Sequence, residues 1–555
     1  MSYDTRLIVA QLRAAPGLVR LCELMGDPGL PDMAEAVVEE AARFAEAVLA
    51  PLNPVMDRHG ARLEGDRVHT APGHPEAWRA FCEAGWQTLD RSAEHGGQGL
   101  PLIAWAACQE LFDRACVAFG MLPCSQGAAA RLLATHADAD IKAEWLPRLS
   151  AGEWAATICI SEVEAGSDVG RIRTLATPLD DGQWSITGEK AWITFGDHDL
   201  VTRIGHCLLA RTPGAAPGAG GLSLFLVPSL LEDGTRNAIA VRRLEEKMGL
   251  HGSPTCALGF EGALGRLVGR EGRGLSQLFA MITVMRLSVG VQGLGLAAGA
   301  AETARAYAAE RRQGGPACEP AVALDSHADV QRMLMANLSR VETLRGLVYA
   351  AAVQADLAAH ETDPEAAARA AALAGWFLPI VKTLGGETGF AAASEAIQVM
   401  GGAGYVRDWP VEQALRDSRV FTIYEGATGM QALDLVHRRL WRDDGKGLSA
   451  FLDLARAEAS GAALAYALER LEDAAARLNA LQATPREAEA GAVAFLQLAA
   501  LAATGWVADG LSRQSEPRLA AAGAFWLSDL APRADLAHAQ AVVGARDLAA
   551  YAAFR

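Results

Sequence analysis

The chain reads as an α+β protein: an N-terminal helical domain, a middle antiparallel β-domain, a C-terminal helical bundle and an additional C-terminal helical region. Three observations predict this. Apolar residues recur near a 3.6-residue spacing on both sides of the middle of the chain, the period falls to two between about residues 156 and 265, and an alanine-rich stretch beyond residue 445 carries a further helical stripe. A chain of 555 residues can bury several cores. The expected domains are 1–155, 156–270, 271–444 and 445–555.

In the first domain Met33-Ala34-Glu35-Ala36-Val37-Val38-Glu39-Glu40 continues through Phe44, Val48 and Leu49 as one helix, which Pro51 and Pro54 are expected to end. A glycine-rich connector from Glu94 to Pro101 separates further helices such as Ala104 to Cys116 and Ala128 to His136. In the second domain Asp181-Gly182 is a hairpin signal, and strands are expected at Gln183 to Thr187, Ala191 to Phe195 and Leu222 to Val227. The run from Pro213 to Gly221 reads as a solvent-exposed hairpin loop.

Long helices return from Gly274 to Asp443. Gly290, Gly293, Gly295 and Gly299 give one of them a small-residue face, and because each glycine costs a helix about 1 kcal/mol, their clustering implies a closely packed neighbour. In the last region Leu464, Leu468 and Leu471 mark one apolar face, with breaks at Pro485, Pro517 and Pro532. Gly491 to Ala508 is nearly all apolar, but it is rich in alanine and interrupted by Gln497 and Thr504, so a packed bundle helix is expected there and no membrane span.

The formal net charge of -16 argues against a nucleic-acid partner. Nine scattered cysteines form no C-x-x-C pair and no metal-ligand cluster, so no metal is expected and the cysteines read as buried thiols of a reducing compartment. The first residues do not form the unbroken apolar core of a signal peptide, and a cytoplasmic protein is expected.

The chemistry centres on Phe421-Thr422-Ile423-Tyr424-Glu425-Gly426, where one carboxylate lies between an aromatic residue and a glycine after an apolar run. Desolvation in such a setting raises a carboxyl towards the range of a useful general base, although a Glu in such a turn is more often a solvated loop residue. Upstream stand Gln398-Val399-Met400-Gly401-Gly402-Ala403-Gly404-Tyr405, Arg407-Asp408-Trp409-Pro410-Val411-Glu412 and Leu415-Arg416-Asp417. This run resembles the C-terminal signature of the flavin-dependent acyl-CoA dehydrogenases, whose base sits in a Tyr-Glu-Gly sequence. The order of helical, β and helical domains matches that fold over roughly residues 35 to 440. The tail, and the phrase from Gly426 to Leu435, resemble the extended bacterial subgroup that includes enzymes acting on 3-methylthiopropanoyl-CoA.

The resemblance implies FAD as cofactor and Glu425 as the base that takes the α-proton of an acyl-CoA while the β-hydrogen leaves as hydride to flavin N5. Tyr424 and Gly426 would contact substrate, Gly426 by letting the backbone lie close. In some relatives the base stands at the place of Met285, which cannot accept a proton usefully. The segment Thr157 to Val169 resembles the flavin loop: Ile160 and Ser161 would approach the isoalloxazine, and Gly166 and Ser167 the pyrophosphate, with Ser167 also near substrate. Val163-Glu164 replaces the more usual Pro-Gly there, and without the resemblance Ala-Gly-Ser-Asp is an ordinary turn.

Trp192 and Thr194, at i and i+2 on one strand, share a face. The resemblance puts Trp192, Ile193 and Thr194 against the flavin; sheet core is the alternative for Trp192. Arg311, Gln313, Gln398, Gly401 and Gly402 would reach the FAD of a neighbouring subunit, and Thr428 its adenine side, while two arginines at a helix end are also ordinary solvated residues. Arg286, alone in an apolar helix, lies either at the edge of the acyl-CoA cavity or in an internal salt bridge. The implied activity is α,β-dehydrogenation of an acyl-CoA to the trans-2-enoyl-CoA, as in β-oxidation, by a homodimer or homotetramer with an electron-transfer flavoprotein as acceptor. Alternatives are an oxidase using oxygen, or a flavin-binding relative without dehydrogenase activity.

Overall fold

A computed structural model describes residues 3–555, which gather into two compact units. One comprises residues 3–43, 101–114 and 286–555; the other comprises Phe44–Leu100 and Ala115–Met285.

The second unit is organised by a sheet. A hairpin of β1 (Arg62–Glu64) and β2 (Arg67–His69) precedes it, and the sheet itself contains β3 (Trp154–Cys159), β4 (Leu175–Pro178), β5 (Trp184–Thr194), β6 (Arg203–Arg211), β7 (Leu222–Pro228), β8 (Ile239–Leu244) and β9 (Thr255–Leu267). The strand order is β3-β6-β4-β5-β9-β7, with β8 on β9 and a further pairing of β6 with β7. Most pairs are antiparallel, as expected, but β3 runs parallel to β6, so the sheet is mixed. The intervening β4 and β5 supply the long return that a parallel pair needs.

The two strands expected at Gln183 to Thr187 and Ala191 to Phe195 are one strand, β5. It survives the apparent break by a bulge between Lys190 and Ile193 opposite β9. The hairpin signal at Asp181-Gly182 does join β4 to β5, and the run from Pro213 to Gly221 does connect β6 to β7. Alternate residues of β6 serve two cores: Cys207 and Leu209 pack with Trp145 and Leu133, whereas Leu208 and Ala210 pack with Phe225 and Phe260.

Pro51 and Pro54 do not end the first long helix. Leu30–Phe44 passes through a π-turn, Ala45–Leu49, into a helix Ala50–His59 that contains both prolines. The π-turn lies just before Pro51, and its wider winding gives the continuous helix room to pass the two prolines.

The first unit is helical, and glycines set its closest approach. A Cβ on Gly293 would lie 1.9 Å from the carbonyl oxygen of Gly385, and one on Gly290 would lie 2.3 Å from Val381 Cγ1, so the helices Gly274–Glu310 and Pro364–Met400 touch through their backbones. A Cβ on Gly386 would lie 2.8 Å from the Phe421 carbonyl carbon, so the second helix is equally close to the segment before Glu425. Among the described residues three helices are long and apolar enough to cross a membrane by length and composition, Gly274–Glu310, Pro364–Met400 and Pro485–Leu511. Most of each apolar stretch is buried inside the fold, as in a bundle core. All nine cysteines are free, and Cys318, expected among the buried ones, is exposed.

Candidate active site

The chain leaves a short 3-10 turn at Arg419–Thr422 and enters two successive left-handed residues, Glu425 (φ 53°) and Gly426 (φ 89°). For a glutamate this conformation costs about 1–2 kcal/mol, so its surroundings must hold it. They do so through carbonyls: Gln431 Nε2 donates to the oxygens of Glu425 at 3.0 Å and Gly426 at 3.1 Å, and Lys382 Nζ donates to that of Gly426 at 2.7 Å. The Tyr424 hydroxyl donates to Gln292 Oε1. Tyr424, Glu425 and Gly426 are therefore fixed by the two glycine-packed helices and by the helix Thr428–Leu433.

Glu425 is open to solvent by surface area, whereas the packing around its carboxyl is that of an interior group. The crowding of protein around the carboxyl, and not the accessible area of the whole residue, governs its ionisation. Burial therefore pushes the carboxyl above its ordinary range, while the charges of Lys382 and Arg286 pull it back. Lys382 is buried, and desolvation lowers its ammonium to about 8, against the opposing pull of Glu425. Glu387, also on the helix Pro364–Met400, is raised by burial and lowered by Lys382.

Of the two readings for Arg286, the salt bridge is present: one guanidinium nitrogen lies 2.6 Å from Asp434, with both side chains largely buried. Its charge still acts on Glu425. Met285 is buried and offers no base.

The residues expected around the flavin ring lie in the second unit. Ile160 and Ser161 are half-buried, and Gly166 and Ser167 are exposed. A buried ammonium shapes this loop: Lys190 Nζ donates to the carbonyls of Ile160 (2.9 Å) and Leu209 (2.8 Å) and to Glu162 (3.0 Å). Glu162 in turn accepts from the Arg173 and Thr174 backbone N–H groups and from the Thr174 hydroxyl. The replacement of Pro-Gly by Val163-Glu164 falls at the tip of a turn closed by paired hydrogen bonds between Glu162 and Ala165, where Val163 is 87 % exposed and Glu164 pairs with Arg173. Solvent accommodates both side chains.

Trp192 is not sheet core. It has φ 64° in the β5 bulge and is 59 % exposed, Thr194 is half-buried, and Ile193 is buried on the other face. The Thr194 carbonyl accepts from the Thr157 hydroxyl at 2.6 Å, and the Ala191 N–H donates to the Ser161 carbonyl at 2.9 Å, which ties strand to loop. An exposed indole beside two accessible hydroxyls suits a flat heteroaromatic ring with a polar edge, and an exposed Gly-Ser pair suits a phosphate. These residues fit FAD.

Arg311 and Gln313 are exposed, and an Arg311 guanidinium nitrogen donates to Gln313 Oε1 at 3.4 Å. Gln398, Gly401 and Gly402 are exposed at the end of the helix Pro364–Met400, where Gly401 has φ 59°. Thr428 is half-buried in the first turn of the helix Thr428–Leu433. Among the described residues no hydrogen bond joins Arg311 or Gln398 to the turn at Glu425.

Sequence reasoning missed Lys382, Gln431, Asp434 and the pair Lys190–Glu162. For Lys382 a signal existed: it follows Trp376-Phe377-Leu378-Pro379-Ile380-Val381 as a lone cation in an apolar run, the pattern that singled out Arg286. Gln431 and Asp434 carry no such signal, because amide and acid side chains in an amphipathic helix are ordinary.

Models of the N-terminal, middle and C-terminal domains of acyl-CoA dehydrogenases match residues 31–153, 157–263 and 272–440. The chain is similar to the 3-methylmercaptopropionyl-CoA dehydrogenase of Ruegeria pomeroyi, at 40% identity over 514 residues, covering 89% of this chain and 87% of that one. It is also similar to the broad-specificity linear acyl-CoA dehydrogenase of Mycobacterium tuberculosis, at 33% identity over 541 residues, with 88% and 86% covered. Among solved structures, the acyl-CoA dehydrogenase of Bacillus anthracis complexed with FAD shares the fold with a TM-score of 0.76 at 20% identity, over 92% of this chain and 88% of that one.

Proposed function

The chain belongs to the acyl-CoA dehydrogenase family, and on that footing we propose that it converts an acyl-CoA thioester to the trans-2-enoyl-CoA with Glu425 as the base. The family is FAD-dependent, and FAD is the cofactor. When bound, FAD supplies the acceptor for the β-hydride.

The observation that carries this reading is the state of Glu425. It is a carboxylate held in a left-handed turn, raised by its surroundings and accompanied by two cations that keep its charged form accessible. A thioester α-C–H is a weak acid, so a base of raised pKa at fixed position lowers the barrier from both driving force and geometry. Gly426 brings the backbone close to the thioester, and Tyr424, tied to Gln292, shapes the adjoining wall. The Arg286–Asp434 pair presents an anchored guanidinium at the edge of the acyl-CoA site. On the cofactor side, Trp192 covers the ring, Thr194, Ser161 and Ile160 contact it, and Gly166 and Ser167 receive phosphate, whereas the Ile193 side chain, expected at the ring, belongs to the sheet core.

The exposure of Arg311, Gln313, Gln398, Gly401 and Gly402 supports contact with the FAD of a neighbouring subunit, and hence an active homodimer or homotetramer. The electrons then pass to an electron-transfer flavoprotein. The name of the Ruegeria relative makes 3-methylmercaptopropionyl-CoA the first substrate to try.

The test is anaerobic flavin bleaching with that thioester and a series of linear acyl-CoAs, with the product identified by mass. Bleaching by at least one of them, with loss of two hydrogens from the thioester, is expected. A folded protein that holds no FAD after reconstitution, or a bound flavin that no acyl-CoA reduces, overturns the reading.

A further inference from the structure

Lys382 sits where no requirement of the fold explains it. It is fully buried, it has one hydrogen-bond acceptor among the described residues, and that acceptor is the carbonyl of Gly426 at 2.7 Å, next to the base. Replacing an unpaired buried cation by an apolar residue of similar volume normally stabilises a protein, so a lysine here answers to something other than packing. Two features of the turn depend on it.

The first is shape. Glu425 and Gly426 are both left-handed, and among the described residues the side chains that donate to their carbonyls are Gln431 and Lys382. The second is charge. The charged groups around the base are Lys382 and Glu387 from the helix Pro364–Met400, Arg286 from the helix Gly274–Glu310, and Asp434 with Arg439 from the segment Asp434–Arg442. Arg286 is largely neutralised by Asp434 at 2.6 Å, whereas Lys382 forms no carboxylate ion pair within 4 Å among the described residues. Its field is therefore the less compensated of the two cations that act on Glu425.

We propose that Lys382 is a positioning residue for the base: its ammonium fixes the Glu425–Gly426 turn through the Gly426 carbonyl, and its charge favours the carboxylate form of Glu425. This rests on the reading of Glu425 given above. The alternative is a purely structural lysine, which would hold the turn without affecting the ionisation of Glu425.

The experiment is an infrared difference titration of the carboxyl stretch in the FAD-bound protein, with Glu425→Gln as the reference that assigns the band, run beside the pH profile of flavin reduction. In Lys382→Met the Glu425 carboxyl titrates at higher pH than in the parent, and the acid limb of flavin reduction moves with it. The reduction rate at neutral pH falls on the order of 10²-fold through misplacement of the base, while KM stays near the parental value. Lys382→Arg, which keeps the charge, returns the titration to its parental place. Lys382→Gln serves in place of Met if that variant does not fold. A slower neutral variant whose Glu425 titrates as in the parent overturns the proposal, as does failure of both neutral variants to fold. If Glu425→Gln still reduces its flavin, the assignment of the base fails, yet the carboxyl titration still decides the role of Lys382.

Discussion

Two loops of this protein are each held by a buried lysine that donates to a backbone carbonyl, and the two lysines do different work. Lys190, behind the flavin loop, has three acceptors, in Ile160, Leu209 and Glu162. Lys382, behind the base turn, has Gly426 alone among the described residues, and its charge reaches Glu425 and Glu387. Burial lowers both ammoniums, opposed by Glu162 at Lys190 and by Glu425 and Glu387 at Lys382. An ammonium whose hydrogen bonds are all made acts as a strut; one with spare donors beside an acid sets the charge of that acid.

The largest contrast should appear in acid. His74, His198 and His206 are fully buried in the unit that contains the flavin loop, and desolvation lowers them to about 3, about 3 and about 4. Their folded pKa values lie below the ordinary 6.5, so the unfolded chain binds more protons between those limits. The stability they contribute is complete above pH 6.5 and is lost as pH falls towards 3–4, by up to about 1.4 kcal/mol per histidine per pH unit. Hydrogen exchange followed from pH 7 to pH 4.5 should show the segments Phe44–Leu100 and Ala115–Met285 opening first. Earlier opening around Glu425 would break the contrast.

Next in size is loss of the strut. Lys190→Met leaves Glu162 largely buried without its cation and should cost about 3–5 kcal/mol in chemical denaturation, with FAD released at lower denaturant. Lys382→Met, which strands no partner at salt-bridge distance, should cost clearly less. Equal losses would make the two lysines equivalent and remove the distinction.

The smallest effect concerns the turn itself. Gly426→Ala places a Cβ 2.7 Å from Gln431 Nε2 at φ 89°, so the left-handed penalty of about 1–2 kcal/mol adds to a displaced amide. Flavin content should hold while the rate of flavin reduction falls. A Gly426→Ala protein with parental reduction kinetics would show that the clamp on this turn is dispensable.

Much of this was legible in the residues. Glu425 between Tyr424 and Gly426, the glycine face at Gly290 and Gly293 and the hairpin at Asp181-Gly182 all depend on local spacing, which a chain displays directly; the bulge that turns Trp192 to φ 64° does not show in an i, i+2 spacing. Other features depend on contacts between distant segments. The strand β6 is buried from Arg203 to Ala210 and so shows no alternation, and β9 is interrupted by Gly259, Gly262 and Gly265, so neither announces itself as a strand. The same holds for the hold of Lys382 on Gly426 and of Lys190 on Ile160: a lysine in an apolar run signals an unusual environment without naming its partner. For Arg286 the sequence allows two environments, and Asp434, 148 residues away, decides for the salt bridge.

The central claim is that Glu425 removes the α-proton. Glu425→Gln keeps the volume and shape of the side chain and deletes the proton acceptor, and Met285 supplies no substitute. Stopped-flow flavin bleaching under anaerobic conditions, with whichever acyl-CoA reduces the parent, should show retained FAD and retained acyl-CoA binding. The reduction rate should fall by at least the ~10²- to 10⁴-fold typical of general-base loss. A Gln variant that bleaches at close to the parental rate would place the base elsewhere.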